Sequence, residues 1–135
     1  MKTSTELLYT KSAAARIMNV SASKIVKFAV WDKVIFLQVN GHRCTFVSKK
    51  KFKLDFVESR QESGKNLEVE INLFRRDQHL VYSKGNLYIV GKDMSCDCAD
   101  FIAQSQAFGG RGCCKHGYAV LNYLGHNKLS DMIAA

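Results

Sequence analysis

The sequence predicts an α+β chain in two parts, and three observations carry that expectation. Apolar residues recur at a spacing of about two in some stretches and three to four in others, so strands and helices are both present. The excess positive charge lies in one half: residues 1–67 hold 13 Lys/Arg against 5 Asp/Glu, and residues 68–135 hold 7 of each. Two short clips of Cys and His are confined to the other half, Cys96-Asp97-Cys98 and Cys114-Lys115-His116. The polar stretch Ser59 to Asn66 falls near the change in charge and reads as a linker. The expected units are residues 1–62 and 67–126, with a tail at 127–135.

Composition narrows the function classes. A chain of 135 residues, 47% hydrophobic and 24% charged, suits one domain or two small ones and excludes global disorder. No apolar run approaches the ~18 residues of a membrane span. The opening Met1-Lys2-Thr3-Ser4-Thr5-Glu6 lacks the apolar stretch of a secretory signal. Five cysteines, an odd number, argue against a disulfide scaffold and for a reducing compartment, so a cytoplasmic protein is expected. The net +8, gathered in one half, points to a polyanion such as nucleic acid, with a solubilising surface as the alternative. No phosphate-binding glycine loop, GxGxxG, GxSxG or HExxH occurs, and no catalytic residues are expected. Neither a membrane nor a small-molecule substrate is expected as partner.

In the first half, Thr10 is placed to cap a helix, with Ala14, Ala15 and Met18 on one face. Ser21 can cap a second helix that turns Ile25, Phe28 and Ala29 inward and leaves Ser23, Lys24 and Lys27 outside. Val34 to Val39 and His42 to Ser48 flank Asn40-Gly41, a strong hairpin signal. The run from Tyr9 to Ser21 and its sequel through Phe52 resemble an excisionase-like or MerR-like winged helix-turn-helix. That resemblance implies DNA contacts from Ser23, Lys24 and Lys27 on a recognition helix and from Arg43 at the tip of a wing. A β-rich unit with one amino-terminal helix also fits. Residues 25–39 are rich in Val, Ile, Phe and Trp, and Phe52-Lys53-Leu54-Asp55-Phe56 alternates like a strand. Lys49, Lys50 and Lys51 would oppose the dipole of a helix beginning there. Those lysines, with Lys53, read either as a phosphate-contacting cluster or as a solvated strand end. Trp31 is expected in the core, with a base-stacking platform as the alternative, and Cys44 as a small buried apolar residue. Phe46, Phe52 and Phe56 read as core or, in an RNA-binding protein, as exposed stacking rings. His42, His79 and His126 lack paired donors and are expected at the surface.

In the second half, Leu67, Val69, Ile71 and Leu73 alternate with polar residues as in a half-buried strand. Leu80-Val81-Tyr82-Ser83 and Asn86 to Val90 flank Lys84-Gly85 as a tight hairpin. The Cys pair follows, then a loop whose Gly109, Gly110 and Gly112 allow a tight return. The Cys/His pair opens a helix through Leu124, which Gly125 ends. Three thiolates and an imidazole are a tetrahedral zinc set, and extended backbone aims residues i and i+2 to one side. Residues 79–125 resemble the SWIM-type zinc fingers in their CxC, variable loop and CxH, in Asp100-Phe101, and in Cys-Lys-His leading into a helix. The resemblance implies a ββα unit around one zinc held by Cys96, Cys98, Cys114 and His116. Cys113, with His116, offers a competing ligand register; Cys114 is favoured because its spacing mirrors the first clip. Four protein ligands make a closed, structural site, and Arg111 and Lys115 are near enough to offset its negative charge. The leading functional expectation is a zinc-stabilised DNA-binding regulator or mobile-element accessory factor. The alternatives are an adaptor docking on a recombinase or transposase and an RNA-binding protein.

Overall fold

The fold is α+β, with two antiparallel three-stranded sheets and their helices. The computed structural model describes residues 2–126; the tail expected at 127–135 lies outside them. The chain separates into two units, with the division between Phe56 and Val57.

The first unit begins with α1 (Ser4–Leu8) and α2 (Lys11–Met18). The Thr10 hydroxyl accepts from the Ala13 amide at 3.0 Å, which satisfies a free donor of the first turn of α2. Asn19, at φ 56°, ends the helix, and the amide of Val20 returns to the Ala15 carbonyl. Ala13, Ala14 and Ala15 are buried.

The second helix of a helix-turn-helix is not formed. Ser21 precedes a three-residue 3-10 turn, Ala22–Lys24, and residues 25–30 form β1 (Ile25–Val30). This strand pairs with β2 (Val34–Val39) from Ile25↔Val39 to Val30↔Ile35. Branched residues at 25, 26 and 30 favour the pleat, and β2 completes their backbone hydrogen bonds, so the β-rich alternative describes this segment. The next hairpin turns at Asn40 and Gly41, whose φ of 82° suits glycine. Pairing resumes only at β3 (Thr45–Ser48), leaving Cys44 exposed rather than buried.

A 16-residue helix, α3 (Lys49–Gly64), replaces the expected strand at 52–56. Phe52, Phe56 and Val57 are buried on one helical face while Leu54 is 52% exposed, so the apparent alternation was fortuitous. Ser48 accepts from the Lys51 amide at 3.2 Å, and the Lys49 ammonium lies 5.2 Å from the Tyr9 ring centroid. Basic residues in a first turn cost about 0.3–1 kcal/mol each, whereas burying a Phe contributes about 1.5–3 kcal/mol, so burial wins. The helix also runs through Ser59 to Gly64, where a linker was expected.

The second unit contains β4 (Glu68–Ile71), β5 (His79–Ser83) and β6 (Asn86–Val90), then α4 (Ala99–Ala107) and α5 (Lys115–Tyr123). Lys84 and Gly85, at φ 51° and 78°, make the two-residue hairpin between β5 and β6. The expected ββα order lacked α4, which occupies most of the segment between the clips. Pairing of β4 stops at Ile71, itself 40% exposed, and Leu73 is 78% exposed. The half-buried alternation therefore does not extend through Leu73. His79 is buried and meets the Tyr123 ring edge-on at 5.7 Å, contrary to the surface position expected for it. Helix α5 packs against all three strands. Its end is a Schellman motif, with the amides of Gly125 and His126 bonded to the carbonyls of Asn122 and Leu121.

Gly64 is set by packing. A Cβ there would lie 2.6 Å from the Lys115 carbonyl oxygen and 3.0 Å from the Ala119 amide. Gly64→Ala is expected to destabilise the protein by about 1–3 kcal/mol, the range for overpacking, despite alanine's better helix propensity. A denaturation midpoint at or above that of the parent would contradict the close approach.

Candidate metal centre

Four side chains converge in the second unit. The ligand atoms of Cys96, Cys98, Cys114 and His116 all lie within 4.8 Å of one another, and all four residues are buried. This arrangement could hold a metal ion. Each residue is placed by local structure. After β6 the chain reverses through Gly91 to Ser95, with the Gly91 amide bonded to the Ser95 carbonyl and Met94 at φ 66°. The reversal sets Cys96 beside Val90 in an isolated bridge. Cys98 occupies the N-cap of α4, where its sulfur accepts from the Phe101 amide at 3.3 Å. Cys114 occupies the N-cap of α5, and His116 lies in the first turn of that helix. Two helix amino termini thus face the sulfurs, and their positive dipole ends favour thiolate charge.

The imidazole turns Nδ1 toward the sulfurs. His116 Nδ1 lies 3.7 Å from Cys96 Sγ and 3.6 Å from Cys114 Sγ. A tetrahedral ion with Zn–S near 2.3 Å and Zn–N near 2.0 Å would place sulfur and nitrogen about 3.5 Å apart, so the spacing fits. Nε2 is buried and has no hydrogen-bond partner among the described residues. The ring is held by stacking on Tyr88, at a centroid distance of 4.0 Å and an angle of 23°.

The sulfurs resist carrying charge together. Hydrogen bonds from Cys114 and then Cys96 draw the Cys98 thiol well below its ordinary range. Cys114 is pushed up by its hydrogen bonds to Cys96 and Cys98 and by burial. At Cys96 the contact with Cys114 lowers the pKa, but Cys98 and burial outweigh it and raise the thiol to about 11. One thiolate is tolerated, and three call for a cation among them.

Cys113 is not a member of this cluster, which takes Cys114. It is fully buried, and a Cβ added at Gly117 would sit 2.9 Å from its sulfur. Burial, then the charges of Cys114 and Asp100, push its thiol up, as befits an inert packed side chain.

A supporting network was not legible in the sequence. The Gln104 side chain, fully buried, accepts from the Cys113 amide at 2.9 Å and donates to the Cys113 carbonyl at 3.1 Å. It also donates to Asp100 at 2.9 Å, and Asp100 is gripped by Arg60 through two bonds of 2.9 Å. The backbone entering Cys114 is thereby pinned. Asp100 and Gln104 share the i, i+4 spacing of a helix face, but α4 lacked the apolar periodicity to announce it; Arg60, forty residues away, carried no signal. Gln104→Ala is expected to cost about 1–3 kcal/mol, because the Cys113 amide would be buried without a partner. Unchanged stability in urea denaturation would mean the pin is dispensable.

The basic candidates all belong to the first unit. Ser23 and Lys24 lie on the 3-10 turn, Lys27 on β1, Arg43 in the hairpin loop, and Lys49 to Lys51 in the first turn of α3. All are exposed except Lys49, which is half-buried. Among the described residues no helix is long and apolar enough to cross a membrane. Scans of protein-family models, curated proteins and solved structures return no match to the chain.

Proposed function

We propose that this chain is a small zinc-stabilised nucleic-acid-binding protein, acting on DNA as a regulator or mobile-element accessory factor. The observation that carries this reading is the division of charge between the two units. Residues 4–56 hold 10 Lys/Arg and 3 Asp/Glu, a net +7, against 10 and 9 in the rest of the chain. Of the three acidic residues in the basic unit, Asp55 is already engaged by Arg16 at 2.8 Å. A surface so charged raises the local concentration of a polyanion and supplies phosphate contacts without reading sequence.

Zinc is the ion that three thiolates and one imidazole suit best. The CxC and CxH clips support a SWIM-type module, and four protein ligands leave no position for a substrate. The metal is therefore structural, and we assign the protein no catalysis. Cysteines kept as thiols rather than disulfides support a reducing compartment, the cytoplasm. Without a recognition helix, Ser23, Lys24, Lys27 and Arg43 make contact from a turn, a strand and a loop.

Fluorescence anisotropy of the zinc-loaded protein against DNA at several salt concentrations tests the reading. Six phosphate contacts predict a slope of log K against log salt of about −5 on duplex DNA, with a smaller slope on single strands. The Lys24→Ala/Lys27→Ala and Lys49→Ala/Lys50→Ala/Lys51→Ala variants are expected to flatten it. No binding at low salt would make the charge merely solubilising. One observation favours a protein adaptor as the second reading: Leu73 and Phe74, at 78% and 98% exposure, project from the β4–β5 loop. The Asn72 side chain holds that loop by accepting from the amides of Phe74 and Arg75. Two adjacent large apolar side chains left this open are compatible with a partner covering them.

A further inference from the structure

The sheet of the basic unit has one covered face and one open face. Ile25, Ile35, Leu37, Val39 and Val47 are buried on the covered side. The open side carries Ala29, Phe36 and Phe46 in one cross-strand row and Lys27 opposite Gln38 in the next. Trp31, just past β1, joins this row. It stacks on Phe36 at 5.6 Å and 8°, and its centroid lies 5.0 Å from that of Phe46. Trp31 is 50% exposed, where the sequence predicted a core position, and Phe46 is 53% exposed, in line with the second of the two readings the sequence offered for it.

We propose that this open face binds single-stranded polynucleotide, with unpaired bases stacking on Trp31 and Phe46 and phosphates held by the lysines around them. The inference rests on the nucleic-acid reading above and names the form of polymer. Half-open aromatic rings offer flat apolar surface to any unpaired base, and such stacking is tolerant of sequence. The cations are arranged to match. Lys27 shares the face, and Lys33 follows Trp31 by two residues. The Lys33 carbonyl accepts from the Lys49 amide at 3.4 Å, which brings the Lys49 to Lys51 run to that end of the sheet. At the opposite end the Lys24 carbonyl accepts from the Asn40 amide at 2.7 Å, beside the loop that carries Arg43. Positive charge thus brackets an aromatic patch. In a duplex the base faces are already stacked and cannot reach the rings.

The test uses the full zinc-loaded chain with oligo(dT), oligo(U) and a duplex of matched length. Trp31 is the only Trp, so its fluorescence reports the face directly. Both single strands are expected to quench Trp31 and to bind about tenfold or more tightly than the duplex. Stacking and phosphate pairing do not read the sugar, so the two strands should bind alike. Phe46→Ala is expected to weaken single-strand binding about tenfold and leave duplex binding and its salt slope unchanged. Phe46→Tyr should restore it, and circular dichroism checks that each variant is folded. Salt-dependent binding that favours the duplex, spares Trp31 fluorescence or ignores Phe46→Ala would overturn the stacking face and leave the basic unit as a duplex-binding surface. Strong exclusion of either sugar, or concentration-dependent quenching by a second copy of the chain without nucleic acid, would also overturn it. Failure of every polynucleotide to bind at low salt would reject the nucleic-acid reading itself.

Discussion

Purified Cys114→Ser protein is expected to retain no zinc and to lose ordered structure in residues 57–126, whereas Cys113→Ser protein retains a full equivalent. The two sulfurs are adjacent in sequence, but one belongs to the four-ligand cluster and the other packs against Gly117. Structural zinc contributes roughly 10–16 kcal/mol of binding free energy at neutral pH, and a small domain has only about 5–15 kcal/mol of net stability. Removing one of three thiolates should therefore decide whether the unit folds. Metal analysis and circular dichroism with and without EDTA measure both effects. Acid should release the metal from the parent protein, because protons compete for the same sulfurs and metal-bound stability is lost as pH falls. Stoichiometric zinc in Cys114→Ser, or a melting curve indifferent to EDTA, would overturn the assignment.

Phe52→Ala is expected to destabilise the protein by about 3–5 kcal/mol, and Leu54→Ala by less than about 1 kcal/mol. In a strand these two residues would share a face and their truncation costs would be comparable. On α3 they diverge: Phe52 is fully buried, with its ring 5.8 Å from that of Tyr9, and Leu54 is 52% exposed. Chemical denaturation of the two variants measures the contrast. Equal losses would indicate that residues 49–56 do not present a helical face.

The site was more legible than the fold around it. Cys96, Cys98, Cys114 and His116 could be picked out because metal ligands have few chemical identities and tight local spacing. The Thr10 cap, both hairpin turns and the Gly125 stop were legible for a related reason: each depends on one or two residues whose backbone or side-chain chemistry is local. Residues 22–30 and 49–64 were harder. Ile25 to Val30 and Lys49 to Phe56 each carry apolar residues compatible with either period. The choice passed to partners elsewhere in the chain, β2 for the first and Tyr9 with the unit's core for the second. The long-range pins of the candidate metal centre, Arg60 on Asp100 and Tyr88 on His116, had no local signature at all.

By itself the sequence determined the α+β class, the two-part distribution of charge and the four candidate ligands. These follow from composition and from chemistry confined to a few neighbouring residues. The tertiary structure alone decided that the basic unit is a sheet with helices rather than a helix-turn-helix, that α4 fills the interval between the clips, and that Trp31 and Phe46 lie open. Those outcomes depend on which apolar face finds a partner to cover it, and that partner is supplied by residues distant in the chain.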